Sequence, residues 1–221
     1  MRFRIDLKIF IFVLLFCFTK QLGTYSMIML FAIVHEFGHL LAGLLLGMKP
    51  EKMEIKPYGV SISFKLTPKD YNKKIKKGNV LEIKKMIVAF AGPLTNLLII
   101  IILLQCNFKI FSQLIMIYAN ILLILFNLLP IYPLDGGRIL QAILHILFGK
   151  QKAEKSSNII SFITIIILTI ISSIAIYYAQ NIAIFFIILF LWGLYIRQDL
   201  IYRRKQKIYN LLEKSIENKW N

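Results

Sequence analysis

The sequence has 221 residues, of which 58% are hydrophobic, and its formal net charge of +16 comes from 27 Lys+Arg against 11 Asp+Glu. Soluble domains are about 45–50% apolar, so this composition excludes an ordinary soluble globule. A charge this positive suggests a nucleic-acid partner in a soluble protein, but here the basic residues lie between long apolar runs and in the C-terminal tail. That placement is typical of membrane-protein loops that face an anionic leaflet, so we expect no nucleic-acid partner.

The apolar residues are gathered into six segments, most of them near the roughly 20 residues that a membrane span needs. The segments cover about residues 6–19, 24–47, 84–106, 110–134, 157–179 and 181–197. The first follows a basic start like that of a signal peptide, but it lacks a small-residue cleavage site before Lys20, so we expect it to be retained. The sequence therefore predicts an all-α polytopic membrane protein with about six transmembrane helices.

Basic residues are concentrated in alternate gaps between the segments. They are Lys65, Lys69, Lys73, Lys74, Lys76 and Lys77 after segment two, Arg138, Lys150, Lys152 and Lys155 after segment four, and Arg203, Arg204, Lys205 and Lys207 after segment six. Positive charge favours the cytoplasmic side, so we expect both termini in the cytoplasm. We also expect a membrane domain over residues 1–200 and a basic cytoplasmic tail over 201–221.

The first basic loop contains a predicted β-strand. From Tyr58 to Leu66, apolar and aromatic residues alternate with small or polar ones, a period of two that indicates a strand with one apolar face. Pro57 places the start of the strand there or marks it as an edge strand. We expect this small membrane-associated element to hold an unwound substrate by edge pairing.

The clearest chemical motif is His35-Glu36-Phe37-Gly38-His39 in the second segment. On a helix, two histidines four residues apart project from one face and can share a zinc ion, while the glutamate between them can activate water. Histidines and a glutamate are costly in lipid, so in an otherwise apolar helix they are expected to face the protein interior and to be functional. The alternative is a polar cluster that bonds neighbouring helices.

Asp135 is the candidate for a third metal ligand. A catalytic zinc site uses three protein ligands, and a carboxylate oxygen is an accepted donor. Segments two and four run in the same direction in the expected topology, so both motifs approach the cytoplasmic half of the membrane. Two alternatives stay open: Asp135 as the N-cap of a short helix over Arg138–Phe148, and His145 as the ligand in its place.

Two further stretches place polar or helix-breaking residues inside apolar segments. Asn127, Pro130 and Pro133 predict a break in the fourth helix, which is tolerated at membrane depth where freed backbone groups line protein or water. Asn127 can then bind a substrate backbone or a neighbouring helix. Gly92 and Asn96 share a helix face, which favours close packing with an interhelical hydrogen bond, or packing that positions the metal-binding helix.

These motifs resemble those of the site-2 proteases, and within them the short sporulation type that processes a membrane-tethered pro-sigma factor. The resemblance rests on His35–His39, on the Ala-Gly-Pro-Leu-x-Asn stretch that ends at Asn96, and on Asn127 through Leu134-Asp135-Gly136. It covers about residues 6–200.

The resemblance implies a zinc metalloendopeptidase of a bacterial cell membrane. One zinc ion per chain would be bound by His35, His39 and Asp135, and Glu36 would activate water for peptide hydrolysis. The partners would be the lipid bilayer, a membrane-tethered substrate such as a pro-sigma factor, and a membrane-protein inhibitor or activator. Family members commonly carry a PDZ or CBS domain, and with no room for either here, regulation through nucleotide binding to such a domain is not expected.

Two other functions are compatible with the same residues. A transporter or metal carrier would use intramembrane histidines and acids as an ion path and would have no need of Glu36 as a base. A non-catalytic scaffold would have no reason to keep a water-activating glutamate.

Overall fold

The computed structural model describes residues 2–5, 17, 22–56, 59–65, 75–105, 112–179 and 182–220. The described strands are β1 (Arg2–Ile5), β2 (Lys49–Lys56) and β3 (Gly59–Lys65). The described helices are α1 (Leu22–Leu45), α2 (Ile75–Gln105), α3 (Gln113–Asn127), α4 (Asp135–Phe148), α5 (Lys150–Ala179) and α6 (Ile182–Trp220). The mainly helical architecture predicted from the sequence is confirmed.

Within the described residues, four helices are long and apolar enough to cross a membrane. These spans are Tyr25–Leu45, Asn79–Gln105, Lys150–Tyr178 and Phe185–Leu211, and α3 is a shorter apolar helix. They match five of the six predicted segments, and the predicted segment 6–19 lies outside the described residues except for Cys17. The chain is a multi-pass membrane protein.

The end of α1 is closed by a glycine turn. Gly47 has a φ of 73°, its N–H donates to the Leu44 carbonyl at 2.9 Å, and the Met48 N–H donates to the Gly43 carbonyl at 2.9 Å. This is the Schellman arrangement, in which a residue with positive φ satisfies the last carbonyls of a helix. The Lys84 ammonium, from the first third of α2, donates to the Leu46 carbonyl at 2.7 Å, so α2 is tied to the chain just after α1.

The chain after α1 forms part of a three-stranded sheet in the order β1-β2-β3. β1 pairs parallel to β2, and β2 pairs antiparallel to β3 with an irregularity between Pro50 and Lys52. The predicted strand is confirmed as the edge strand β3, although Tyr58 and Leu66 lie outside the described residues. The Phe64 ring packs where a Cβ at Gly43 would stand, so β3 lies directly on α1.

The chain divides into two compact units, residues 1–129 and residues 130–221. The first unit has a hydrophobic core formed by buried side chains of α1, α2 and α3. The core residues are Met27, Phe31, Ala32, Leu103, Met116, Ala119 and Leu123.

In the second unit, α5 and α6 are joined by polar side chains within apolar surroundings. The Asn158 amide donates to the Asp199 carboxylate at 2.9 Å, and the Trp192 indole N–H donates to the Thr169 hydroxyl at 3.1 Å. Such bonds fix the register of membrane helices, since lipid offers these groups no other partner. α6 continues through residue 200, so the expected boundary between membrane domain and tail falls inside a helix.

Candidate metal centre

The two motif histidines lie side by side on α1. His35 and His39 are 3% and 4% exposed, and their Nε2 atoms are 3.2 Å apart. This proximity follows from the helix, because residues i and i+4 stand one above the other on the same face. Both imidazoles therefore present Nε2 to one point inside the protein.

The orientation of His39 is set by α2. Its Nδ1 lies 2.7 Å from the Val88 carbonyl, which can only accept a hydrogen bond. Nδ1 is therefore the donor in this contact, and in the neutral imidazole Nε2 is then the nitrogen that can bind a metal. This is the tautomer that a metal-binding histidine needs, held by the kind of backbone contact that orients such ligands.

Gly92 brings α2 close to both rings. A Cβ atom at this position would lie 2.5 Å from Nε2 of His39 and 2.6 Å from Nε2 of His35, closer than side chains pack. Gly38 makes the reciprocal approach, since a Cβ there would lie 2.5 Å from the Thr95 methyl group. The two helices thus meet through glycines, and the missing side chain at Gly92 leaves space in front of the imidazoles.

The histidine pair fits a zinc ion. Two nitrogen ligands at 2.0–2.1 Å from a tetrahedral zinc lie about 3.3 Å apart, close to the observed separation of 3.2 Å. Imidazole nitrogen is a preferred zinc donor, and the space that Gly92 leaves open faces both donor atoms.

Asp135 is the first residue of α4. The cap position belongs to Leu134, so the alternative in which Asp135 is the N-cap is wrong. The side chain is buried, with 5% exposure, and one carboxylate oxygen lies 3.7 Å from Nη1 of Arg138. The carboxylate is the form of this side chain that binds a metal.

The backbone before Asp135 is held by tertiary contacts. The Tyr132 N–H donates to the Ser161 hydroxyl at 3.2 Å, and that hydroxyl donates to the Ser157 carbonyl at 2.8 Å. Gly137 lies against the backbone of Ile131 and Tyr132, where any Cβ would collide with main-chain atoms. The first turn of α4 is therefore wrapped tightly onto the segment that precedes it.

The structure brings two of the predicted ligands together within the first unit, because His35 and His39 are both buried and adjacent. Asp135, the third predicted ligand, is a buried carboxylate of the second unit. His145, the alternative ligand, lies in the last turn of α4. His35, His39 and Asp135 remain the predicted ligand set.

Comparison with known proteins supports this assignment. Residues 105–171 match Peptidase family M50. A zinc metalloprotease of Methanocaldococcus jannaschii is 31% identical over 144 residues, covering 62% of this chain, and the stage IV sporulation protein FB of Bacillus subtilis is 25% identical over 133 residues, covering 56%. The solved structure of a site-2 protease from Methanocaldococcus jannaschii matches with a TM-score of 0.64. That match covers 90% of this chain and 91% of the other at 23% identity, which shows a shared fold. The chain is therefore similar to M50 peptidases over part of its sequence, and it shares the fold of a site-2 protease.

The two curated relatives are longer proteins. The chain spans 39% of the archaeal metalloprotease and 40% of the sporulation protein.

The other residues predicted to support the site have different surroundings. Asn127 ends α3, and its amide donates to the Leu123 carbonyl of its own helix at 3.0 Å. The predicted break follows, with the Pro130 carbonyl 3.4 Å from the Ser161 hydroxyl. Asn96 is fully buried, and the interhelical hydrogen bond expected of it is not formed with any residue that the structure describes.

Four supporting residues were not identified from the sequence. Val88 acts through its backbone, so its side chain carries no signal. Gly137 acts through the close approach of backbone atoms, and Ser161 acts through a contact with a residue far away in the chain. A sequence shows neither kind of contact. Asn120 did carry a signal, because a buried asparagine in an apolar segment is expensive and so expected to be functional.

Proposed function

We propose that the chain is an intramembrane zinc metalloprotease that hydrolyses peptide bonds in or near the transmembrane segment of membrane-tethered proteins. The observation that carries this proposal is the buried His35–His39 pair, with Nε2 atoms 3.2 Å apart on either side of Glu36 in the chain. The matches to an M50 peptidase family and to a zinc metalloprotease support the same function.

One zinc ion per chain would be held by Nε2 of His35, Nε2 of His39 and a carboxylate oxygen of Asp135. Two nitrogens and one carboxylate are an established ligand set for catalytic zinc, and they leave a fourth position for water or substrate. When bound, zinc supplies Lewis acidity, which polarises the scissile carbonyl and lowers the pKa of water.

Glu36 is the proposed catalytic residue. It follows His35 directly in α1, and a carboxylate beside a metal site can accept the proton of the attacking water. The same carboxyl group then donates that proton to the leaving amine, so the glutamate ends the cycle in its starting state. Removing such a general base costs about 10²–10⁴ in rate.

The depth of the histidines supports entry of water from one side. His39 lies six residues before Leu45, the end of its candidate span, which is about 9 Å along a helix. The basic loops favour the cytoplasm for this end, with both termini on the same side of a bacterial cell membrane. In this topology residues 1–200 form the protease domain, and residues 201–221 form a basic cytoplasmic tail.

Strand β3 is the proposed guide for the substrate. A transmembrane helix shields its peptide bonds in internal hydrogen bonds, so it must be extended before cleavage. β3 is an edge strand, and its Phe64 packs on Gly43, one helical turn after His39. An extended substrate that pairs with β3 would therefore run beside the histidines.

The proposed substrate is a membrane-tethered pro-sigma factor of a sporulating bacterium. The similarity to stage IV sporulation protein FB supports this choice. The proposed partners are the lipid bilayer and a membrane protein that inhibits or activates cleavage.

The test is co-expression of a membrane-tethered pro-sigma factor with the wild type, with Glu36→Gln, and with Glu51→Gln as a control that removes an exposed carboxylate. We expect Glu36→Gln to lose cleavage and keep its zinc, and Glu51→Gln to keep both.

Cleavage that survives in Glu36→Gln would overturn the mechanism. Zinc transport by the wild type that is unaffected in Glu36→Gln, without cleavage of any membrane-tethered protein, would identify a metal carrier instead. Zinc binding with neither activity would identify a scaffold.

A further inference from the structure

Two buried asparagines lie at one level of the first unit. The Gln113 amide at the start of α3 donates to the Leu103 carbonyl near the end of α2, which aligns the two helices across their short connection. Asn96 lies seven residues before Leu103, and Asn120 lies seven residues after Gln113. Each asparagine is therefore about 10 Å from that contact along the axis of its own helix, because an α-helix rises 1.5 Å per residue.

The polar atoms of these asparagines are only partly satisfied. Both side chains are 0% exposed. The Asn120 amide donates to the Met116 carbonyl at 2.8 Å, but neither Oδ1 of Asn120 nor either amide atom of Asn96 has a hydrogen-bond partner among the described residues. One donor group and two acceptor groups thus face the interior, and buried amides without partners are costly.

This polar layer borders the candidate metal centre. Asn96 comes one helical turn after Gly92, and side chains on an α-helix lean toward its N-terminus. The Asn96 carboxamide is therefore directed over Gly92, where the absent side chain leaves space in front of His35 and His39. Met116, Ala119 and Leu123, which lie near Asn120 on α3, belong to the hydrophobic core.

We propose that Asn96 and Asn120 form a binding site for internal water, from which the metal centre takes the water that it consumes. Buried water characteristically binds polar groups that lack protein partners, and it makes about three hydrogen bonds. Here water can donate to both Oδ1 atoms and accept from Nδ2 of Asn96. Within a membrane, hydrolysis needs such a supply beside the site. The supply role rests on the proposed protease function, whereas the water site does not.

The water site is tested by solid-state NMR on the full chain in lipid bilayers with ¹⁵N-labelled asparagine. The side-chain amide signal that disappears in Asn96→Leu is assigned to Asn96. We expect rapid magnetisation transfer from water to the Asn96 side-chain amide. The exposed Asn210 side chain serves as the positive control, and the backbone amide of Asn120, inside a helix, as the negative control. No transfer to Asn96 would overturn the water site and indicate a direct bond between the two asparagines.

The supply role is tested separately by kinetics. Asn96→Leu and Asn120→Leu should each lower kcat about tenfold, or about 1.4 kcal/mol in the barrier, with zinc content and KM unchanged. Asn210→Leu should cleave as the wild type does. Unchanged kcat in both buried variants would overturn the supply role while the NMR result stands. A wild type that cleaves no membrane-tethered protein would instead overturn the proposed function and leave the water site intact.

Discussion

The histidine pair and the Asp135 segment are built in opposite ways. His35 and His39 come from five consecutive residues of a continuous helix, and their spacing alone puts two nitrogens 3.2 Å apart. Asp135 follows a helix break, and its backbone is held by Ser161, 26 residues later in the chain, and by the close approach of Gly137. One region depends on helix periodicity, and the other depends on tertiary contacts.

This difference predicts how each region responds to change. The spacing of the histidines should survive any substitution that leaves α1 helical. We therefore expect a substitution to impair this region only if it fills the space around the imidazole rings. The position of Asp135 should respond to each contact that holds its segment, and each response should be smaller because several contacts share the task.

Gly92→Ala should have the largest effect. The new methyl group would lie against both Nε2 atoms, so we expect zinc affinity to fall by about a hundredfold or more. Competition with a chromophoric chelator measures this affinity. Gly193→Ala is the matched control, because a Cβ there meets nothing within 4 Å. Wild-type affinity in Gly92→Ala would show that the space is not used by a metal.

Gly137→Ala should have the next largest effect. Its Cβ would meet the backbone of Ile131 and Tyr132, which cannot rotate away as a side chain can. We expect a loss of about 1–3 kcal/mol in the free energy of unfolding and zinc affinity about tenfold lower. Denaturation and chelator competition measure the two quantities. Equal loss of zinc in Gly137→Ala and Gly92→Ala would contradict the contrast between the regions.

Ser161→Ala should have a smaller effect, because it removes one anchor and leaves the others. The Tyr132 N–H would lose its partner, at a cost of about 1–3 kcal/mol in stability. We expect zinc affinity to fall less than in Gly137→Ala. Ser173→Ala is the control on the same helix, since that exposed hydroxyl bonds only to the nearby Ile170 carbonyl. Identical behaviour of the two alanine variants would remove Ser161 from the set of anchors.

Proline substitutions in β3 should leave zinc affinity unchanged and still affect cleavage. Neighbouring strand residues point their N–H groups in opposite directions. One of the two variants, Ser61→Pro and Ile62→Pro, therefore disturbs pairing with β2, and the other blocks only the open edge. We expect the variant that blocks the open edge to bind zinc and fail to cleave, as measured on a membrane-tethered substrate. Normal cleavage by both variants would exclude edge pairing.

Features with a local cause were predictable from the sequence. The histidine motif, the membrane helices and strand β3 each follow from a periodicity of one element, and Pro130 with Pro133 predicted where the fourth helix breaks. The helix ends at Asn127, the first of the three residues expected to break it.

Features with a distant cause were not predictable. Strand β1 carries charged residues and is defined by pairing with β2, more than 40 residues later in the chain. The Val88 carbonyl has no side-chain signature, and Ser161 looks like any small residue in an apolar helix. The cap role considered for Asp135 was wrong because the helix begins at Asp135 instead of Arg138, so that Leu134 occupies the cap position.

Helix α6 continues well past its apolar part. From Arg197 to Trp220 it extends about 35 Å, a length comparable to the hydrocarbon thickness of a bilayer. A label or fusion partner attached after Trp220 would therefore be carried on a stiff spacer instead of a flexible tether. Distances measured from such a label would report the orientation of α6 itself.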